Sequence, residues 1–242
     1  MIERTHKNYY PLMLDLAGQP CVIIGGGLVA ERKAEALIDA GAAVTVISRA
    51  WTPRLEQWSR DGLVSLVRQS YEPGMTQLEN ALLVFAATDQ APVNSAVRLE
   101  AQGMGKLVSV ADDPLHSGFI VPAVVRRGKL VIAVSTGGAS PLVAKRVREE
   151  LERTFGAEYE EYLDLLQELR VQIQSSVREA AYRQQMFKAM LEWQLLDWIR
   201  SGRLDSFIKG QMIERIKVDP TVSGIERLGV WLREMADENG ET

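Results

Sequence analysis

Residues 22–41 read VIIGGGLVAERKAEALIDAG, and this stretch decides the fold. The apolar run Cys21–Ile24 predicts a strand, and Leu28–Ala40 predicts a helix that Gly41 ends. Between them stands Gly25-x-Gly27-x-x-Ala30, the spacing of a dinucleotide-binding turn in the strand–turn–helix setting such a turn requires. Gly25 permits the tight turn, Gly27 lets backbone approach a pyrophosphate, and Ala30 lets the helix pack closely on the sheet. Gly26, Leu28 and Val29 fall inside the same turn and count with these three as cofactor-binding candidates. The exposed N–H groups and dipole of the helix N-terminus favour phosphate. The competing reading is a glycine turn in an ordinary α/β fold. A kinase-type P-loop is excluded, because no Gly-Lys-Ser/Thr ending follows.

Outward from this stretch, short apolar runs alternate with helical patterns. Strands are expected at Val44–Ile47, Leu63–Val67, Ala81–Ala86 and Lys106–Val110, with a helix over Ala91–Gln102 and only a short helix within residues 71–81. Such alternation argues for βαβ units and a mainly parallel sheet. Near Asp113 the pattern changes. Phe119–Val125 and Leu130–Ser135 read as strands joined through Arg127–Gly128–Lys129, which suggests a hairpin. A helix follows over Leu142–Thr154, with Ser140 as its cap and Pro141 in its first turn. Beyond Glu158 the chain reads as helix almost throughout, with candidates at Arg183–Arg200, Leu204–Arg215 and Val222–Glu238. The expected organisation is a Rossmann-like domain over 1–113, a strand-rich middle region over 114–155 and a helical domain over 156–242.

Composition narrows the function. The 242 residues carry 32 acidic and 28 Lys/Arg side chains, a formal net charge of −4, so the surface as a whole does not draw nucleic acid or anionic lipid. One cysteine, Cys21, excludes a disulfide framework within the chain and fits a reducing compartment. With only His6 and His116, no site of clustered Cys and His is available for a metal. The polar start is unlike a secretory signal, and no apolar stretch is long enough to span a bilayer, so a cytoplasmic location is expected.

The remaining candidates sit at strand ends, where ligands bind in open α/β sheets. After the second strand, an acidic residue would select NAD through the ribose hydroxyl. This chain has Ser48 and Arg49 there, with Thr45 earlier in the strand. A hydroxyl from Ser48 or Thr45 could serve the ribose, whereas Arg49 would attract the extra phosphate of NADP. Thr88 and Asp89 close the fourth strand and either line the cofactor cleft or form a capped turn. KLVSVADDP, residues 106–114, puts Asp112 and Asp113 past a strand, as a proton-handling carboxylate or as a plain Asp-Asp-Pro turn. His116 follows in the same loop, as an acid, a ligand or a solvated side chain. Ser135-Thr136-Gly137-Gly138 offers hydroxyls and N–H groups to an anion, or simply connects strand to helix. Arg146, Arg148 and Arg153 are a solvated basic face or an attraction for an acidic substrate, and Trp193, Trp198 and Trp231 read as core or interface.

GGGLVAERK at 25–33, FAATDQAPVN at 85–94, SVADDP at 109–114 and AVSTGGASP at 133–141 occur in the order and spacing of one family. In these segments the chain resembles the precorrin-2 dehydrogenase and sirohydrochlorin ferrochelatase family of sirohaem biosynthesis, the N-terminal module of sirohaem synthases, over about residues 10 to 155. The resemblance implies NAD-dependent oxidation of precorrin-2 to sirohydrochlorin. It implies Asp112 as catalytic acid/base or macrocycle-orienting group, Ser135 and Thr136 near the active cleft, and Thr88 near the cofactor. His116, in the loop that follows Asp112, is counted with Ser135 and Thr136 as a substrate-binding candidate. It also implies a homodimer in which the middle strand-rich regions interlock. Thr136 departs from a common Ser, Ser109 from a common Asn, and Leu28 replaces a residue that is sometimes acidic. Two alternatives stay open. One is a bifunctional dehydrogenase and ferrochelatase that takes ferrous iron as a substrate. The other is a non-catalytic nucleotide-binding regulatory module.

Overall fold

The computed structural model describes residues 7–111 and 113–238. They form two compact units. The first runs to Val121 and takes in Gly137–Ala139, and the second comprises Pro122–Thr136 and continues from Ser140.

The first unit is an open parallel sheet wound by helices. Its elements are β1 Pro20–Ile24, α1 Leu28–Asp39, β2 Ala43–Ser48, α2 Pro53–Arg60, β3 Val64–Arg68, α3 Thr76–Asn80, β4 Leu83–Ala86, α4 Ala91–Gly103 and β5 Leu107–Val110. The strand order is β3-β2-β1-β4-β5, all neighbours parallel, with Cys21 beside both Val44 and Leu83. The expected Rossmann-like sheet is therefore present. Central β1 is apolar at every position from Cys21 to Ile24 because both its faces are covered. Cys21 and Ile23 pack with Ala30, Ala34 and Leu37 of α1 and Leu55 of α2. Val22 and Ile24 point the other way, to Leu78 of α3 and to Val97 and Ala101 of α4.

Helix α2 has no counterpart in the expectations, although its signal is local. Thr52 caps it, its hydroxyl accepting from Leu55 N at 3.3 Å, and Pro53 opens it. The strand expected from Phe119 begins only at Ala123. Pro122 has no N–H to donate to a ladder, and Phe119 instead packs edge-on against Phe85 with ring centroids 5.3 Å apart.

In the second unit, β6 Ala123–Arg127 and β7 Leu130–Val134 form an antiparallel hairpin in which Arg127 pairs with Leu130 across Gly128 and Lys129. Gly128 adopts φ +52, and a side chain there would meet Glu160. Helix α5, Pro141–Thr154, is capped by Ser140, which accepts from Val143 N at 3.3 Å. Arg127 of β6 binds its C-terminal carbonyls, Phe155 O at 3.0 Å and Glu152 O at 3.1 Å.

The helical remainder comprises α6 Glu158–Ser176, α7 Ala180–Met190, α8 Leu195–Arg200, α9 Ser206–Val218 and α10 Val222–Glu238. They share one core built on Leu169, Ile173, Met186, Met212, Ile216 and Ile225. The single helix expected over Arg183–Arg200 is broken between Met190 and Leu195. There the backbone tightens into i→i−3 bonds (Leu191, Glu192 and Trp193 N, each 3.2 Å from its acceptor), and buried Trp193 lies against Gly229, where a side chain would stand 2.6 Å from its indole nitrogen.

Candidate functional site

The chain leaves β1 toward β2 on one side and returns to β4 on the other, so a crevice opens where the strand order reverses. A cleft of about 910 Å³ lies there, bounded by the glycine turn, the Ser48–Thr52 connection and the loop that begins at Ala87. Backbone bonds close its walls: Gly25 N donates to Ile47 O (2.9 Å), Ala87 N to Ile24 O (2.8 Å) and Thr52 N to Gly26 O (3.0 Å).

The three glycines do different work. Gly25 has φ +125, and a Cβ there would lie 2.2 Å from Ala87 O. At Gly26 a Cβ would lie 2.0 Å from Ala50 O and 2.9 Å from Trp51 Cδ1. At Gly27, the N-cap of α1, nothing stands within 4 Å. Packing of the protein on itself thus demands the first two, while the third leaves an open approach beside a helix N-terminus. That is the shape a pyrophosphate needs, and the residues present fit a dinucleotide. Ala30 is fully buried in helix–sheet packing, Val29 is half-buried, and Leu28 stands exposed at the mouth.

Ser48 is half-buried at the end of β2, its hydroxyl accepting from Ala50 N at 3.4 Å, and Arg49 beside it is exposed. Arg68 donates to Arg49 O at 3.0 Å, and its guanidinium lies over Trp51 with the central carbon 4.6 Å from the ring centroid. The buried indole N–H of Trp51 has no partner among the described residues. Asp89 is the one carboxylate among the described residues lining the cleft.

Thr88 is held by Asn94 of α4. The Asn94 carboxamide oxygen accepts from Thr88 N (3.1 Å) and Thr88 Oγ1 (2.7 Å), and its nitrogen donates to Thr88 O (3.0 Å). Asn94 is buried and was not foreseen as a site residue. Its signal was a carboxamide on the same helical stripe as Val97 and Ala101. Tyr71 also lines the cleft, its phenol donating to Glu100. Burial first, then the hydrogen bond and charge of Glu100, push that phenol above its ordinary range.

Beyond β5 the chain turns back. Ala111 N donates to Ala86 O at 2.8 Å, and Ala111 borders the cleft. Asp112 lies outside the described residues. Ser117, buried and also unforeseen, clips the turn: its hydroxyl accepts from Val110 N (2.9 Å) and donates to Asp113 O (2.8 Å). His116 places Nδ1 2.7 Å from the Asp113 carboxylate. Burial raises the Asp113 pKa, but the His116 hydrogen bonds and the charges of His116 and Arg98 outweigh it and hold the group below its ordinary value. His116 does not line the cofactor cleft. It borders a second depression of about 840 Å³ in the same unit.

Ser135 and Thr136 belong to the second unit. Thr136 Oγ1 accepts from Ser140 N and donates to Ser140 O, both at 3.1 Å, across Gly137 (φ +62) and Gly138 (φ +91), while Ser135 is exposed. The Thr136 hydroxyl thus closes its own turn. Arg146 and Arg148 pair along α5 with Glu150 and Glu152, and Arg153 donates to Glu149 O. Trp193 and Trp198 are buried in the helical core, and Trp231 packs against it. Among the described residues no helix is long and apolar enough to cross a membrane.

Comparison with known proteins agrees with this architecture. The family described as "Putative NAD(P)-binding" matches residues 12–123, and the family described as sirohaem biosynthesis protein central matches residues 127–154. Siroheme synthase of Edwardsiella ictaluri is 41% identical over 145 residues, 60% of this chain and 31% of that protein. Siroheme synthase of Methylococcus capsulatus is 36% identical over 198 residues, 82% of this chain and 41% of that protein. The chain therefore spans well under half the length of these curated relatives. The solved structure of SirC, precorrin-2 dehydrogenase, aligns with a TM-score of 0.70 and 28% identity, over 86% of this chain and 99% of that one. With a nicotinamide-cofactor module followed by the sirohaem central module, the chain carries two sequence modules of sirohaem biosynthesis proteins on the fold of a precorrin-2 dehydrogenase.

Proposed function

We propose that this chain oxidises precorrin-2 to sirohydrochlorin with NAD as hydride acceptor. The observation that carries the reading is the alignment of a precorrin-2 dehydrogenase along 99% of its length with this fold. The cofactor-binding side chains and backbone are those of the cleft. Gly27 and the N-terminus of α1 receive the pyrophosphate, Ser48 serves the ribose, and Thr88, fixed by Asn94, lines the opposite wall. When bound, the dinucleotide supplies the hydride acceptor. The protein's part is to align the macrocycle and to take the proton that leaves it, which we assign to Asp112. Ser135, Thr136 and His116 are assigned to the substrate. NAD is preferred over NADP on family resemblance, against the local chemistry of Arg49.

The same reading places the protein in the cytoplasm, divides it at about residues 113 and 155 and makes it a homodimer. In support of the dimer, no side chain of α5 is fully buried in this chain, and Leu142 and Val143 are 79% and 51% exposed on it. Anaerobic incubation with precorrin-2 and NAD, without iron, tests the activity. NADH and sirohydrochlorin are expected in equal amounts, and no turnover with either NAD or NADP would refute the reading. Ferrous iron added with sirohydrochlorin, in the absence of NAD, tests chelation separately.

A further inference from the structure

We propose that the depression bounded by Lys7, Arg98 and His116 binds a carboxylate arm of the tetrapyrrole, an inference that rests on the dehydrogenase reading above. This hollow of about 840 Å³ is built from three separate parts of the first unit: the segment Lys7–Tyr9, one face of α4 with Arg98 and Gln102, and the Leu115–Gly118 end of the turn after β5. It is locally basic on a chain whose net charge is −4. Among the described residues no carboxylate lines it, and Asp113 in the same loop is engaged by His116 at 2.7 Å.

The donors exceed the acceptors. The Lys7 ammonium donates to Pro114 O (3.2 Å) and Ser117 O (2.9 Å), which uses two of its three hydrogens. Arg98 donates through one nitrogen to Gln102 Oε1 (3.0 Å), and the rest of its fork has no bond among the described residues. Tyr9 lies 3.4 Å from Pro114 O, so that carbonyl is already shared. The His116 side chain is 59% exposed, with Nδ1 turned to Asp113 and Nε2 on the other side of the ring. Among the described residues, a guanidinium and an ammonium with unspent N–H groups line a hollow that no uncommitted carboxylate lines, which fits an anion and fits a planar carboxylate best.

The position suits a macrocycle that must also reach the cofactor. Ala111 borders the cofactor cleft, and His116–Gly118, a few residues further along the chain, border this depression. A carboxylate arm held by Arg98 and Lys7 tethers the ring beside the end of β5, where the substrate has to meet the cofactor. Precorrin-2 and sirohydrochlorin both carry acetate and propionate arms, so substrate and product bind here alike. The site governs affinity rather than the chemical step.

The test uses the full chain and two variants that leave the turn intact. Arg98→Gln removes the open guanidinium, and Asn8→Asp places a negative charge at the exposed rim. Each is expected to raise the KM for precorrin-2 by about fivefold or more, with kcat within about twofold and NAD affinity and Tm unchanged. Sirohydrochlorin titrated without NAD, followed by its visible spectrum, reads binding alone and should weaken by a similar factor. Unchanged KM and unchanged sirohydrochlorin affinity in both variants would overturn the proposal. If the wild-type chain binds sirohydrochlorin in an Arg98-dependent way but does not oxidise precorrin-2, the anion site stands and the dehydrogenase reading falls. If it neither binds nor turns over, both fall.

Discussion

An alanine scan across Gly25, Gly26 and Gly27 should separate folding from cofactor binding at adjacent positions. At Gly25 an added methyl would sit 2.2 Å from Ala87 O on a backbone at φ +125, so it meets both a clash and a disfavoured conformation. At Gly26 it would sit 2.0 Å from Ala50 O, a carbonyl that cannot retreat while Thr52 N is bonded to Gly26 O at 3.0 Å. Strain at such a backbone position costs about 1–3 kcal/mol, and overpacking costs a similar amount. Gly25→Ala should therefore lose about 3–4 kcal/mol and Gly26→Ala about 2–3 kcal/mol, each lowering the Tm of the first unit by roughly 5–15 °C. Gly27→Ala meets nothing within 4 Å, and its extended backbone suits alanine, so its stability should change by less than about 1 kcal/mol. Its methyl would instead stand where the pyrophosphate approaches, and NAD affinity should fall by about tenfold or more. Calorimetric melting and isothermal titration with NAD read the two effects. A Gly27→Ala protein that melts as early as Gly25→Ala, or that binds NAD normally, would refute the division of labour.

Other changes have equally definite outcomes. Asn94→Ala removes the three bonds Asn94 makes to Thr88, leaves buried groups unpaired and should cost about 2–3 kcal/mol by denaturant unfolding, with weaker NAD binding in the same titration. Ser117→Ala frees Val110 N in a buried turn, which should cost about 1–2 kcal/mol and lower kcat for precorrin-2 oxidation more than it raises KM. Ser117→Thr should restore part of the loss, and an unaltered kcat in the alanine variant would count against a positioning role. Tyr71 binds its proton more tightly folded than unfolded. Its contribution to stability is thus complete below the free phenol's pKa of about 10 and is lost as pH climbs from there toward the folded value. In a spectrophotometric titration it should ionise after the exposed tyrosines, and Glu100→Gln should bring it back toward them.

Local pattern carried far in this chain. The uninterrupted apolar run of β1, the glycine spacing after it and the strand–helix alternation up to β5 each follow from a period or a turn requirement within a few residues. Helix α2 was equally local, since Thr52 and Pro53 announce it, and it was missed because its short pattern lies in a polar stretch. The break between α7 and α8 was not local. Residues 183–200 are compatible with one helix, and the packing of Trp193 against Gly229, far along the chain, interrupts it.

The candidate site divides along the same line. Residue type and spacing alone specify a nucleotide-binding turn, its place after the first strand and the residues at strand ends. Packing in three dimensions adds that Gly25 and Gly26 are required by Ala87 O and Ala50 O, that Asn94 fixes Thr88, that Ser117 clips the turn after β5, and that His116 borders a separate basic hollow with Lys7 and Arg98. The physical reason is that close approaches and buried hydrogen bonds depend on which strand ends the sheet order brings together. That order is set by crossover connections rather than by the residues of any one segment.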